Sequence, residues 1–263
     1  MSEFSAELEL ARKAALAAGE ILTRHWEERS YTVGSKGRDN PVTEADLEAD
    51  GAIKQILSPA FPDYGWLSEE TADNAERLKR RRVWIVDPLD GTKEFIGGID
   101  EFAVAIALAE DGKPVLGVTF NPIRRELFWA ARGTGCHLGD RCVTVTSAAQ
   151  LDRATILASR SELSRGEWEA MKHTMTVKAT GSVAYKLALV AAGMADATFT
   201  HSPKSEWDIA SGAALVIEAG GRVSDIEGGE LRFNQPRVTV GGLIASNAAL
   251  FEQLTAMARS RTK

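Results

Sequence analysis

The 263 residues predict a mixed α/β protein of two associated halves. Three observations carry this. Apolar residues recur at helical spacing near the start. Short apolar runs of strand length, separated by turn pairs, fill the middle. Helical and strand patterns then alternate to the end. In the first stretch, Phe4, Leu8, Ala11, Ala15, Ala18 and Leu22 mark an amphipathic helix reaching Trp26. A polar, glycine-bearing loop is expected over Val33–Pro41, and Thr43 opens a second helix that ends near Pro59 and Pro62. Val83–Val86 reads as a buried strand. Phe102–Leu108 and Val115–Phe120 flank an Asp111-Gly112 turn and read as a hairpin, with Leu127–Ala131 as a third strand. In the second half, strands are expected at Thr155–Ala158, Ala195–Thr200 and Val238–Ala245. Helices are expected at Val183–Ala192, Glu206–Ala219 (closed by Gly220-Gly221) and Asn247–Met257. The glycines between Gly133 and Asp140 suggest a boundary, giving halves 1–135 and 136–263.

Composition narrows the function classes. A formal net charge of -6 argues against nonspecific nucleic-acid binding, while leaving room for a small anionic substrate if a bound cation inverts the local charge. Two cysteines, Cys136 and Cys142, lack metal-ligand spacing and are expected to be reduced thiols. Met1–Leu10 carries acids and no apolar core, and no apolar run reaches spanning length. Neither a secretory signal nor a membrane span is therefore expected, and the expected location is the cytoplasm. The basic run Lys79–Arg82 reads as a solvated loop.

Chemistry concentrates in Asp87-Pro88-Leu89-Asp90-Gly91-Thr92. Two carboxylates stand three apart at the end of a buried strand. Pro88 keeps Asp87 extended, and Gly91 lets backbone approach a ligand closely. Thr92–Phe95 can open a helix whose first N–H groups suit a phosphate. Acids beside a phosphate need a cation between them, and hard oxygen ligands suit Mg²⁺. The competing reading is a strand-to-helix turn with Asp90 as N-cap. Three further acidic positions have structural readings of their own. Glu69 follows the apolar pair Trp66-Leu67 and could simply be solvated. Asp46 completes a capping box with Thr43, and Asp208 completes one with Ser205. What tips the balance is the occurrence of all of them in one chain.

That combination resembles the inositol monophosphatase superfamily of Mg²⁺-dependent, lithium-sensitive phosphatases. The match rests on Trp84–Thr92, on Trp207–Gly212 with Glu218–Gly221, and on Pro41–Asp46 and Ser68-Glu69-Glu70. Within it the chain looks most like the CysQ branch, the 3'(2'),5'-bisphosphate nucleotidases. The residues for this are Gly91–Ile96, Asn40–Thr43, Leu67–Glu70 and Ser159-Arg160-Ser161. The resemblance implies a layered αβαβα sandwich of the inositol monophosphatase and fructose-1,6-bisphosphatase type. It implies one Mg²⁺ on Glu69, Asp87 and the Leu89 carbonyl, and a second on Asp87, Asp90 and Asp208. Two or three ions are expected in all, with Mn²⁺ as a substitute and Li⁺ as an inhibitor. Asp46 and Thr92, with Glu69, would orient and deprotonate the attacking water, and Gly91 and Thr92 would hold phosphate. Lys36, Lys93, Arg160, Ser182, Lys186 and His201 are candidate substrate contacts, each of which could instead be a surface or structural residue. The same core serves inositol monophosphate, fructose 1,6-bisphosphate and histidinol phosphate. A non-catalytic metal-binding relative would be expected to have lost one of the acids or Thr92. The partner is a small phosphorylated metabolite, and the family includes monomers and homodimers.

Overall fold

The computed structural model describes residues 3–29, 31–37 and 40–261. Helix α1 (Ser5–Glu28) leads into a hairpin of β1 (Val33–Gly37) and β2 (Asn40–Thr43), then α2 (Glu44–Ala60). Strands β3 (Gly65–Ser68) and β4 (Arg82–Asp90) follow, then a one-turn α3 (Thr92–Ile96). The meander of β5 (Ala103–Glu110), β6 (Lys113–Asn121), β7 (Glu126–Ala131), β8 (Cys136–Leu138) and β9 (Arg141–Val143) completes a seven-stranded sheet in sequence order from β3. The rest is β10 (Thr155–Ala158), α4 (Arg160–Ser164), β11 (Thr176–Ala179), α5 (Val183–Ala191), β12 (Ala197–Thr200), β13 (Lys204–Ser205), α6 (Glu206–Glu218), β14 (Arg222–Asp225), β15 (Thr239–Val240), β16 (Leu243–Ser246) and α7 (Ala248–Arg261). A second sheet has the order β11-β10-β12-β16-β14.

Side-chain parity stacks these elements into five layers. On β4, Trp84 and Val86 join the core shared with α1 and α2, whereas Val83 and Ile85 join the core shared with α5 and α6. On β10, Leu157 faces α5 and α6, while Ile156 and Ala158 face α7 and the Trp168–Met175 segment. Each sheet is thus buried on both sides, in the order helices, sheet, helices, sheet, helices. This is the αβαβα sandwich that the sequence implied.

Several sequence expectations change in detail. The loop expected over Val33–Pro41 is the β1–β2 hairpin, with a register shift between Ser35 and Gly37. The strand expected over Val238–Ala245 breaks into β15 and β16 at Gly241-Gly242, where Gly242 has φ 145° and its missing Cβ would stand 2.4 Å from the Thr200 carbonyl. The boundary at 135/136 falls inside the first sheet, because β8 pairs onto β7 and β9 onto β8; the change of sheet comes after Val143. The basic run is not a loose loop. Arg82 begins β4 and pairs with Glu110 and Glu7. Cys136 is buried and Cys142 exposed, and both are free thiols.

Helix α6 has little freedom to move. A Cβ on Gly117 of β6 would stand 2.3 Å from the Ser211 carbonyl, and one on Gly212 would stand 2.3 Å from Leu187 Cβ of α5. Two glycines therefore set the depth of α6 between sheet and helix. Gly212→Ala should push α5 and α6 apart at a cost of about 1–3 kcal/mol, lowering the thermal midpoint by roughly 2–10 °C. A melting curve checks this.

Candidate active site

Glu69 and Asp87 stand side by side where the pairing of β3 with β4 ends. Strands β3 and β4 are parallel, with Ser68 paired to Val86, and the next residues are Glu69 and Asp87; the Glu69 N–H donates to the Val86 carbonyl at 3.2 Å. Asp87 keeps the parity of Val83 and Ile85, so it points toward α6. Asp90, three residues on, would face the opposite side of a regular strand. It does not, because the register with β5 slips: Asp87 pairs with Ala105 and Asp90 with Ala103. The extra residue turns Asp90 back to the face of Asp87, and Pro88, which has no N–H for a ladder, sits in the irregularity.

The other acids arrive at helix starts. Asp46, in the first turn of α2, accepts the Thr43 N–H at 2.8 Å and the Thr43 hydroxyl at 2.6 Å through Oδ2. Its Oδ1 lies 3.1 Å from the Thr92 hydroxyl, which is also 3.2 Å from the Leu89 carbonyl. Asp208, in the first turn of α6, accepts the Ser205 N–H at 2.9 Å. Asp90 does cap a helix, but not the one after it. Its Oδ2 accepts the Ala184 N–H and the Ser182 hydroxyl, both at 2.6 Å, at the head of α5. The cap and ligand readings are therefore compatible. One carboxylate oxygen anchors a helix and leaves the other for chemistry.

Glu69, Asp87, Asp90, Thr92 and Asp208 line one cavity of about 640 Å³, with Asp46 buried behind Thr92. One oxygen each of Glu69, Asp87 and Asp208 lies within 4.8 Å of the others, an all-carboxylate donor set that suits a hard divalent cation. Leu89, Asp90, Gly91 and Thr92 line the same wall, and Gly91 turns the chain with φ 103°. Burial pushes all three aspartates upward. Asp87 rises well above the carboxylate range from burial, then from Glu69, Asp90 and Asp208. Asp90 rises from burial against the hydrogen bonds that it accepts. Asp208 is pushed up to about 8 by burial and by Asp90. Without a cation, the fold holds acids that resist ionising.

Cations share the cavity with these acids. Lys93, Arg160, Lys186 and Lys204 line the cavity. Lys186 is 5% exposed, and burial lowers its pKa against the pull of Glu162, Asp90 and Glu94. Arg160 is already engaged, with Nη1 2.5 Å from Glu101 Oε2 and 3.8 Å from Glu94. Ser182 lines the cavity, and its hydroxyl is committed to Asp90. His201 is not among the lining residues. It shares the parity of Phe199, packs edge-on against that ring, and so lies on the α7 side of the second sheet, away from the acids. Lys36 stands in β1, and its side chain lies outside the described residues. Sequence reasoning passed over Lys204 and Glu94. Lys204 precedes the capping Ser205, a signal that could have found it.

The chain matches the inositol monophosphatase family over residues 5–262, and it belongs to that family. It is 39% identical to the inositol-1-monophosphatase of Mesorhizobium japonicum over 256 residues, covering 94% of this chain and 95% of the relative. It is 32% identical to the Nus factor SuhB of Escherichia coli over 262 residues, covering 96% and 95%. Among solved structures, SuhB of Bartonella henselae superposes with a TM-score of 0.85 at 35% identity, covering 97% of this chain and 98% of that one. A Thermotoga maritima IMPase superposes with a TM-score of 0.85 at 30% identity, covering 99% and 98%. The chain is thus a phosphomonoester hydrolase of this metal-dependent family, and it carries an acidic cluster of the kind such a metal needs. No helix among the described residues is long and apolar enough to cross a membrane.

A raised carboxyl pKa has a definite sign. The folded state holds a proton that the unfolded chain, with an aspartate near 3.9, has already lost. Stability from this source is complete below about pH 4 and is lost as pH rises through about 8. In EDTA, Asp208→Asn keeps an acceptor for the Ser205 N–H and removes the charge. Its thermal midpoint relative to wild type should therefore rise from pH 5.5 to pH 8.5.

Proposed function

We propose that the chain uses Mg²⁺ to hydrolyse a phosphomonoester on a small metabolite that carries a second anionic group, of the 3'(2'),5'-bisphosphate nucleotide kind. Adenosine 3',5'-bisphosphate would give AMP and phosphate. The observation that carries this reading is one cavity lined both by the carboxylates Glu69, Asp87, Asp90 and Asp208 and by Lys93, Lys186, Lys204 and Arg160. Glu69, Asp87 and the Leu89 carbonyl would hold one ion, and Asp87, Asp90 and Asp208 would hold a second. The same residues would accept Mn²⁺ in place of Mg²⁺, and the cavity would admit two or three ions. Such ions supply Lewis-acid stabilisation of the phosphoryl oxygens and acidify water.

The chain's own residues do the rest. Thr92, held by Asp46, orients the attacking water, and Asp46 receives its proton. Glu69 orients the same water from the sheet edge. The backbone at Gly91 and Thr92 seats the phosphate. Lys186 takes the second anionic group: it is buried against the cavity, and a bound anion offsets the cost of keeping it charged there. Lys93 and Lys204 add positive potential. No protein nucleophile is required. The presence of Asp46, Glu69, Asp87, Asp90, Asp208 and Thr92 together speaks for catalysis over a regulatory role. The proposed setting is the cytoplasm, as a monomer or homodimer.

A second reading is inositol-1-monophosphatase activity, favoured by the name of the Mesorhizobium relative. Phosphate release with Mg²⁺ from adenosine 3',5'-bisphosphate, inositol 1-phosphate, fructose 1,6-bisphosphate and histidinol phosphate separates the two. The expected result is preference for the nucleotide, loss in EDTA and inhibition by Li⁺. Preference for inositol 1-phosphate would move the substrate to the second reading. No release from any substrate would overturn the phosphatase mechanism for this site.

A further inference from the structure

Among the described residues Asp50 belongs to no helix cap and to no cluster that could hold a metal, yet it is a buried carboxylate, 7% exposed, one turn beyond Asp46 on α2. Its two oxygens are both used. Oδ1 accepts the Ser68 hydroxyl at 2.5 Å, and Oδ2 accepts the Thr71 hydroxyl at 2.8 Å. Ser68 and Thr71 bracket Glu69. Ser68 Oγ also accepts the Glu70 N–H at 3.3 Å, which tightens the same turn.

The placement answers a mechanical need. Glu69 is the first residue after β3, where sheet pairing stops and the chain bends away. Its backbone keeps one bond to β4, from its N–H to the Val86 carbonyl. A metal ligand displaced by about an ångström is a weak one, so the turn that carries Glu69 must hold its position. Asp50 closes the other side of the turn with two charge-assisted hydrogen bonds, each stronger than a neutral one. Because Asp46 and Asp50 share α2, one rigid helix sets the position of both Thr92's partner and the Glu69 turn.

We infer that Asp50 is a positioning residue for the metal site, fixing Glu69 through Ser68 and Thr71. This rests on the proposed role of Glu69 as a ligand. The alternative is that Asp50 only packs α2 against β3, which would affect stability without affecting metal affinity.

The test is Mg²⁺ binding by calorimetry, alongside the thermal midpoint in EDTA, on wild type, Asp50→Ala, Thr71→Val and Leu254→Ala. Leu254 is fully buried beside the second sheet, remote from the turn, and serves as a destabilised control. Partners behind a metal ligand are typically worth about 10–100-fold in metal affinity. Asp50→Ala should therefore weaken Mg²⁺ binding by roughly that factor, and Thr71→Val by part of it. Leu254→Ala should lower the melting point and leave the affinity unchanged. In turnover, the Mg²⁺ concentration for half-activation should rise while kcat at saturating Mg²⁺ recovers. Thr71→Val keeps the test open if Asp50→Ala fails to fold. Affinity unchanged in the variants, or lowered equally in Leu254→Ala, would overturn the inference. A wild type that binds no Mg²⁺ would overturn the proposed metal mechanism along with it.

Discussion

The structure turns on one constraint: several carboxylates must stay close together in one partly buried cleft. Burial and mutual repulsion drive Asp87, Asp90 and Asp208 toward protonation. The fold offsets part of this with helix starts. Asp46 heads α2, Asp208 heads α6, and Asp90 sits at the head of α5, so three N-terminal ends aim N–H groups and positive dipole at the acids. The remaining repulsion is what a divalent cation would remove. The same arrangement requires α5 and α6 to lie close to the sheet, and Gly117 and Gly212 permit that approach.

Much of this was legible in the sequence. The pair Asp87 and Asp90, Glu69 and Asp208, and the capping box at Ser205 line one cavity, and the capping box at Thr43 reaches it through Asp46 and Thr92. Their local signals are strong because turn and cap chemistry depends on neighbours in the chain. What the sequence withheld depends on distant partners. The parity change that brings Asp90 beside Asp87 arises only in register with β5. The helix that Asp90 caps begins more than ninety residues later. His201 was expected near the substrate from its place ahead of Trp207, but strand parity sends it to the far face of the second sheet. The β1–β2 hairpin read as a loop because glycines and Pro41 hide a strand that is short and weakly patterned.

The cations that line the cavity show why substrate identity is harder to read than mechanism. The acids answer to one requirement, hard-ion coordination, which few residue types satisfy. Lys93, Lys186, Lys204 and Arg160 come from four separate elements, and each has an ordinary surface role in isolation. Arg160 illustrates the ambiguity: it lines the cavity, but Glu101 already claims its guanidinium. Lys186 differs, because it is buried and carries no comparable ion pair among the described contacts.

The central claim is that single carboxylates anchor the fold with one oxygen and serve the chemistry with the other. Asp90→Asn isolates the two functions, since an amide oxygen still accepts from Ser182 and Ala184 while the charge is gone. The measurement is turnover at saturating Mg²⁺ with the thermal midpoint in EDTA. The account predicts a turnover loss on the order of a hundredfold or more with the midpoint kept or raised. Turnover close to that of wild type would contradict it and leave Asp90 as a cap alone.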